Sequence, residues 1–158
     1  MTNRISKEEY YLRIAREVAR RGTCLRRNYG AVIVKNDEIV STGYTGAPRG
    51  TENCCDRGYC ERQRLKIPSG ERYELCRSVH AEQNAMLSAS RQETQGATLY
   101  LFGWEVLGNS LKPLEHPQPC LLCSRMIINM GIEKVIAPVL DNQGEIIDFE
   151  VLRPTISI

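Results

Sequence analysis

The first part of the chain alternates apolar and polar residues with two different periods. Ser6-Lys7-Glu8-Glu9 has the form of a capping box, and apolar residues follow it at helical spacing, so we predict a first helix that ends near Gly22. β-Branched runs at 31–35 and 39–42 surround Asn36-Asp37, a pattern that predicts a hairpin of two strands. A helix followed by a two-stranded hairpin is therefore expected.

Further along, predicted helices alternate with predicted strands. Helical patterns cover 77–90 and 120–130, and strand-like runs follow them at 97–102 and 134–138. This order predicts an α/β protein, a three-layer α/β/α sandwich with a mixed, roughly five-stranded sheet. The run at 146–152 fits either a last strand or an element at a dimer edge, and the pattern alone leaves both open.

One segment has no sustained period. Residues 47–70 are rich in Gly, Pro, Cys and charged residues, which predicts a long loop with a short helical turn. Loops of this length in compact domains are usually functional or held in place, and ligation of a metal by cysteine would hold this one. We therefore expect a single domain over 1–158 with a Cys-rich insert at about 47–76.

Composition excludes several classes of protein. The chain of 158 residues is 42% apolar and 25% charged, and it contains no apolar run that approaches a membrane span. A formal charge of +2 is too small for a surface that coats nucleic acid. The N-terminal residues lack the apolar core of a secretory signal, so we expect a cytoplasmic protein without membrane or nucleic-acid partners. Seven cysteines, an odd number, then favour metal binding over a disulfide framework.

Two short segments combine the ligands of a catalytic zinc site. They are His80-Ala81-Glu82, in the first turn of a predicted helix, and Pro119-Cys120-Leu121-Leu122-Cys123 at the start of another. One imidazole and two thiolates would leave the fourth position of a tetrahedral zinc ion to water. Glu82, as a carboxylate that is not a ligand, could move the protons of that water. A closed structural zinc site is the alternative, but Glu82 and Pro119 favour catalysis.

The zinc segments match the His-x-Glu and Pro-Cys-x-x-Cys signature of nucleobase deaminases. The wider match extends from about Cys24 to Val135 and includes Tyr29-Gly30-Ala31-Val32, Ser41-Thr42-Gly43-Tyr44-Thr45-Gly46, Asn53-Cys54-Cys55-Asp56, His80-Ala81-Glu82-Gln83-Asn84-Ala85 and Gly96-Ala97-Thr98-Leu99-Tyr100. On these residues the chain resembles the zinc-dependent cytidine and deoxycytidylate (dCMP) deaminase family.

The resemblance implies a cytidine deaminase-like fold and a hydrolytic reaction. In the family's reaction, zinc-bound hydroxide attacks C4 of dCMP while Glu82 delivers protons to N3 and to the leaving amine, which yields dUMP and ammonia for thymidylate synthesis. His80, Cys120 and Cys123 would hold the catalytic zinc. The resemblance also implies a nucleotide substrate, dCTP and dTTP as effectors, and a homo-oligomer, often a hexamer.

Other site residues follow from the resemblance alone. Backbone groups near Ala81 are expected at the base edge, and Thr45 stands where the family usually has an asparagine that reaches the sugar. Arg91, eleven residues after His80, and Arg27 are candidates for the phosphate, with Arg26 and Arg49 as further ones. A second, structural zinc is expected from Cys24, Cys54, Cys60 and Cys76, the first two of which match family ligands. The alternative is that these cysteines are small buried hydrophobic residues with inert thiols.

The eighteen residues at 101–118 stand where family members pass almost directly from strand to Pro-Cys. This second insert could form a lid, a longer hairpin at a subunit boundary, or a different substrate wall. Within it we expect Trp104 to pack rather than to stack on a base, and His116 to be a loop residue. Thr45 and the insert leave open a deaminase of another cytosine nucleoside or nucleotide, or of tRNA adenosine. A non-catalytic zinc-binding assembly protein is the alternative outside enzymes.

Overall fold

A computed structural model describes residues 2–156 and places a mixed sheet between two helical layers. The helices and strands are, in chain order, α1 (Lys7–Ala19), β1 (Arg27–Lys35), β2 (Glu38–Tyr44), α2 (Cys54–Arg57), α3 (Glu61–Arg64), a 3₁₀ turn (Tyr73–Leu75), α4 (Ala81–Leu87), α5 (Arg91–Thr94), β3 (Thr98–Leu107), β4 (Ser110–Pro113), α6 (Leu121–Asn129), β5 (Lys134–Leu140) and β6 (Ile146–Leu152).

The sheet has the strand order β2-β1-β3-β5-β6, and β4 pairs with β3 beside this path. Strands β3 and β5 run parallel, and the other pairs run antiparallel. The predicted mixed sheet of about five strands is thus confirmed, with the short β4 as a sixth. The run at 146–152, left open by the sequence, is the last strand, β6.

Alternate residues of the central strands pack against opposite helical layers, as the two-residue period of a strand requires. Val32 and Phe102 face α1, where Leu12 and Ala15 are fully buried. On the other face of the sheet, α4 and α6 pack with a second set of buried side chains: Ile33, Leu99, Leu101, Ala81, Ala85, Cys123 and Ile127. These two cores confirm the three-layer sandwich.

The predicted capping signal begins α1 as expected. The Ser6 hydroxyl accepts a hydrogen bond from the backbone N–H of Glu9 at 3.1 Å, and the helix ends at Ala19, before the turn to Gly22. The Tyr11 hydroxyl donates to the Asp37 carboxylate at 2.7 Å and so joins α1 to the β1–β2 turn. This contact places the first helix across the hairpin that follows it.

Three other elements differ from the sequence prediction. The helix predicted over 77–90 begins only at Ala81, because Val79 pairs with Gly46 in an isolated β-bridge. It ends at Leu87, and Ser90 caps the separate helix α5. The long loop contains α2, α3 and the 3₁₀ turn rather than one helical turn, and β3 continues to Leu107 before it returns as β4.

Helix α4 lies directly on the backbone of β2. A Cβ atom built on Gly43 would collide with the backbone of α4 at Ala81 and Ala85. The Ser41 hydroxyl donates to the Ala85 carbonyl at 2.7 Å, and the Asn84 side-chain amide donates to the Tyr44 carbonyl at 2.8 Å. Strand β2 thereby fixes the height and rotation of the helix that begins after His80.

Trp104 packs in the core on the side of α1. Its ring lies 5.3 Å from that of Phe102, and its indole N–H donates to the Arg16 carbonyl at 3.1 Å. A Trp104→Phe variant should lose about 1 kcal/mol of unfolding free energy, since one hydrogen bond is lost. Urea denaturation checks this prediction. Unchanged stability would contradict the packing role of Trp104.

Candidate metal centre and active site

Three predicted ligands converge between α4 and α6. The ligand atoms of His80, Cys120 and Cys123 lie within 4.8 Å of one another, and no other group of three His, Cys, Asp or Glu ligand atoms within residues 2–156 is as close. His80 Nδ1 lies 3.3 Å from Cys123 Sγ and 3.5 Å from Cys120 Sγ. A tetrahedral zinc ion with ordinary bond lengths places nitrogen and sulfur about 3.5 Å apart. The donor set and its spacing therefore fit zinc.

Helix ends position these ligands. His80 is the N-cap of α4 and Cys120 is the N-cap of α6, so each precedes the first helical turn. This corrects the prediction that His80 lies within that turn, and the β-bridge of Val79 explains the shift. Cys123, in the first turn of α6, donates its backbone N–H to Cys120 Sγ at 3.5 Å.

The electrostatics of the site favour thiolate at Cys120. Hydrogen bonds from the Cys123 thiol, from His80 and from a backbone N–H lower the pKa of Cys120 to about 4, although burial opposes the shift. The Cys120 sulfur in turn raises the pKa of Cys123, and burial raises it further. Zinc ligation requires deprotonated thiols, and a cation at this point would stabilise both.

Glu82 lies beside this donor set but outside it. Its side chain is 5% exposed on the first turn of α4, and its carboxylate neighbours the Cys123 thiol. Burial raises the pKa of the Glu82 carboxyl above its ordinary value. A carboxyl group in this environment exchanges protons more readily near neutral pH than an exposed one.

A cavity of about 470 Å³ opens onto the ligands and Glu82. Its wall includes the predicted residues Thr45, Ala81 and Arg27, and Arg26 also lines it. The buried Thr45 hydroxyl accepts a hydrogen bond from the backbone N–H of Tyr29 at 2.9 Å, so its own hydrogen is still available to a ligand.

Two predicted substrate contacts lie elsewhere. Arg91 is an exposed residue at the start of α5, and neither Arg91 nor Arg49 lines the cavity within the part of the chain that is described. His116 is likewise exposed, with its Nδ1 3.1 Å from Glu150 Oε1, as expected for a loop residue. Arg91 begins the separate helix α5 and does not lie at the end of the helix that follows His80, as the resemblance had implied.

The second insert forms part of the cavity wall. Residues 101–118 comprise most of β3, the hairpin to β4 and the approach to Cys120. Glu105, Val106 and Gln118 from this insert line the cavity. The insert is thus a hairpin that also contributes side chains to the cavity wall.

Four further cysteines lie near one another, and two of them line the cavity. Burial is the main cause that raises the pKa of the Cys54 and Cys76 thiols, and the nearby Cys24 and Cys60 raise both further. They come from four separate segments, and Cys24 and Cys76 line the cavity. Their sulfur atoms are less tightly grouped than the ligand atoms of the first site. Cys55 is exposed, outside this group.

The sequence did not single out two residues of the cavity wall, Arg62 and Tyr73. Arg62 lies in a stretch rich in basic residues, a pattern typical of a solvated surface, yet it is only 7% exposed. Its guanidinium lies 4.8 Å from the centre of the Tyr73 ring, which meets His80 edge-on at 5.2 Å. Ten residues, most of them irregular, separate Arg62 from Tyr73 in the chain, so no periodic signal could have paired them.

An α/β/α sandwich with one histidine, two cysteines and a separate glutamate at a cavity defines the class of zinc-dependent nucleobase deaminases. Comparison with family models agrees with this class. The model for the cytidine and deoxycytidylate deaminase zinc-binding region matches residues 5–139, and the chain therefore belongs to the cytidine and deoxycytidylate deaminase family.

Two similar relatives are deoxycytidylate deaminases. The chain is 37% identical over 137 residues to a deoxycytidylate deaminase of Mycobacterium phage D29, a match that covers 83% of this chain and 93% of the phage protein. It is 33% identical over 133 residues to the deoxycytidylate deaminase of Schizosaccharomyces pombe, which covers 84% of this chain but only 37% of the fungal protein. The chain thus spans little more than a third of that relative.

A solved structure of a dCMP deaminase is similar to this chain in both fold and sequence. The dCMP deaminase of cyanophage S-TIM5, in complex with dCMP and dUMP, superposes with a TM-score of 0.54 at 26% identity. The match covers 81% of this chain and 77% of the phage chain. In the described part of this chain, the longest helix has thirteen residues, and none has the length and apolarity needed to traverse a bilayer.

Proposed function

We propose that residues 1–158 form a single zinc-dependent deaminase domain that converts dCMP to dUMP and ammonia. The observation that carries this proposal is the position of Glu82, buried beside the His80, Cys120 and Cys123 donor set and facing the same cavity. A purely structural zinc site has no use for such a carboxylate. The dCMP deaminases among the relatives support the choice of substrate.

His80, Cys120 and Cys123 would hold the zinc ion, which supplies a water molecule of lowered pKa. Beside the donor set, Glu82 would take a proton from the attacking water and deliver it to N3 of the cytosine ring. Glu82 would then carry the second proton of that water to the amine as the C4–N bond breaks. Water and dCMP are consumed, and dUMP and ammonia leave.

Cavity residues would orient the base and sugar for this chemistry. The backbone N–H of Ala81 lies in the first turn of α4, where amides lack intrahelical partners, and we assign it to the base edge. We assign Thr45 to the sugar, because its hydroxyl faces the cavity with one hydrogen available. Arg27 stays a candidate for a phosphate contact at the exposed rim.

Deamination assays test the proposed function directly. Zinc-loaded protein is offered dCMP, CMP, deoxycytidine, dCTP and adenosine separately, and turnover is followed by ultraviolet absorbance. We expect a clear preference for dCMP. Turnover of another compound with none of dCMP would contradict the substrate and show that Thr45 and the 101–118 wall select a different one.

We also propose a second, structural zinc ion held by Cys24, Cys54, Cys60 and Cys76. The four thiols lie near one another, two of them in the cavity wall, and a tetrahedral set of thiolates is a typical structural zinc site. The ion would join the Cys-rich insert to the segment that follows α1 and to the approach to His80.

Metal analysis of a cysteine variant tests the second site. Wild-type protein should contain about two zinc ions per chain, and Cys60→Ser about one, with a melting temperature lower by more than about 5 °C. Cys55→Ser is the matched control, because that thiol is exposed and lies outside both sets. One zinc ion in both wild type and Cys60→Ser would contradict the second site.

The resemblance to the family leads us to propose a homo-oligomer, a hexamer, that responds to dCTP and dTTP. Exposed apolar side chains near the catalytic helices support an assembly, and they include Leu87, Leu121, Met126 and Ile128. Light scattering gives the subunit number, and assays with added dCTP or dTTP test the effectors.

A further inference from the structure

Arg62 is a buried cation with no acidic partner. Its side chain is 7% exposed, and no carboxylate oxygen within residues 2–156 lies within 4.0 Å of its guanidinium. Nε donates to the Glu71 carbonyl and Nη2 to the Pro68 carbonyl, both at 3.1 Å. These neutral acceptors satisfy two of five N–H donors and leave the charge unbalanced. Arginine is almost never buried so deeply unless it is paired, so a counter-charge is expected from elsewhere.

The guanidinium faces the cavity that holds the candidate metal centre. Arg62 and Tyr73 both line this cavity, and one face of the Tyr73 ring packs against the guanidinium. The same ring meets the His80 imidazole edge-on, at an interplanar angle of 89°. One aromatic ring therefore lies between the cation and a metal ligand, so the cation is near the candidate metal centre without touching it.

We propose that Arg62 binds the phosphate group of the nucleotide substrate. The inference rests on the proposed function, because it concerns the same cavity and the same substrate. Three N–H donors of the guanidinium remain for phosphate oxygens, and the planar fork suits a bidentate contact. Arg26 and Arg27 also line the cavity, but they are more exposed than Arg62, and solvent screens their charges.

A competing role for Arg62 is to balance the Cys76 sulfur. The guanidinium lowers the pKa of the Cys76 thiol, although burial raises it more. If this were the main role, replacing Arg62 would disturb the cysteine cluster and reduce zinc content without distinguishing a nucleotide from a nucleoside. Substrate selectivity and metal content therefore separate the two roles.

The test compares dCMP with deoxycytidine in wild-type, Arg62→Met and Arg62→Lys proteins. Arg62→Met should lower kcat/KM for dCMP by about 100-fold and leave that for deoxycytidine within about threefold. Arg62→Lys keeps the charge but not the fork, so we expect a loss of about tenfold on dCMP. Arg64→Met is the matched control on α3, since Arg64 is exposed and pairs with Glu61. It should keep the wild-type preference.

Binding of product analogues gives a readout that does not depend on turnover. Calorimetry with dUMP and deoxyuridine should show the preference for the phosphorylated ligand in wild type and its loss in Arg62→Met. If Arg62→Met lost the same affinity for dUMP and for deoxyuridine, or kept the wild-type preference for dUMP, the assignment would be overturned. If Arg62→Met fails to fold or loses zinc, the Arg62→Lys variant decides. Its preference for dUMP over deoxyuridine is then compared with that of wild type. Absence of dCMP turnover in wild type would contradict the proposed function itself.

Discussion

Glu82→Gln is expected to lower kcat for dCMP by about 10⁴-fold while zinc remains bound. Glutamine has nearly the shape of glutamate but neither accepts nor releases a proton at neutral pH, so both proton transfers lose their carrier. The three ligands of the site are unchanged, and the side chain stays buried in the same space. The affinity for dUMP should change much less than the rate.

The measurement is steady-state kinetics with metal analysis of the same samples. Glu133→Gln is a suitable control, since Glu133 is an exposed carboxylate outside the cavity, and its kcat should equal that of wild type. Zinc-loaded Glu82→Gln that deaminates dCMP at more than about a tenth of the wild-type rate would remove Glu82 from its proposed role.

Cys120→Ser should release the catalytic zinc and reduce deamination by more than about 100-fold. Loss of an outer-shell partner alone weakens zinc sites by 10- to 100-fold, and loss of a ligand removes more. Serine cannot replace the thiolate that the environment favours at this position, where the pKa of Cys120 is lowered to about 4. Dialysis of the wild-type protein against a chelator should also remove the zinc and the activity. Zinc added afterwards should restore activity to the wild-type protein but not to Cys120→Ser.

The control for the thiol substitution is Cys55→Ser, which removes an exposed sulfur. Its activity and its response to the chelator should match wild type. If the apoprotein of wild type turned over dCMP at the full rate, or if Cys120→Ser kept both metal and activity, the catalytic zinc site would be wrong.

Periodicity and ligand spacing predicted much of the fold and the metal centre. The capping signal of α1 and the β1–β2 hairpin depend on neighbouring residues, so they can be found from local sequence. The pairing of His80 with Cys120 and Cys123 spans forty residues, but the chemistry of the ligands identifies it. Features that depend on neighbouring residues, or on side chains with a distinctive chemistry, could therefore be predicted from the sequence.

Features that depend on contacts between distant segments could not be predicted in the same way. The helix expected from 77 begins at Ala81, because Gly46 draws Val79 into a β-bridge from another part of the chain. The burial of Arg62 depends on carbonyls of an irregular loop and on the ring of Tyr73. Neither the start of α4 nor the burial of Arg62 has a periodic pattern in the sequence. A basic residue among other basic residues suggests an exposed side chain, not a buried one.

The close contact of α4 with the backbone at Gly43 bears on how the specificity of the proposed active site could change in evolution. The depth of the catalytic helix is set by backbone touching backbone, with no side chain between that could be exchanged for a larger or smaller one. The cavity walls come from separate segments, the Cys-rich insert and the β3–β4 hairpin. Mutations there can reshape the pocket while the reacting groups keep their places, so new specificity can evolve without rebuilding the chemistry.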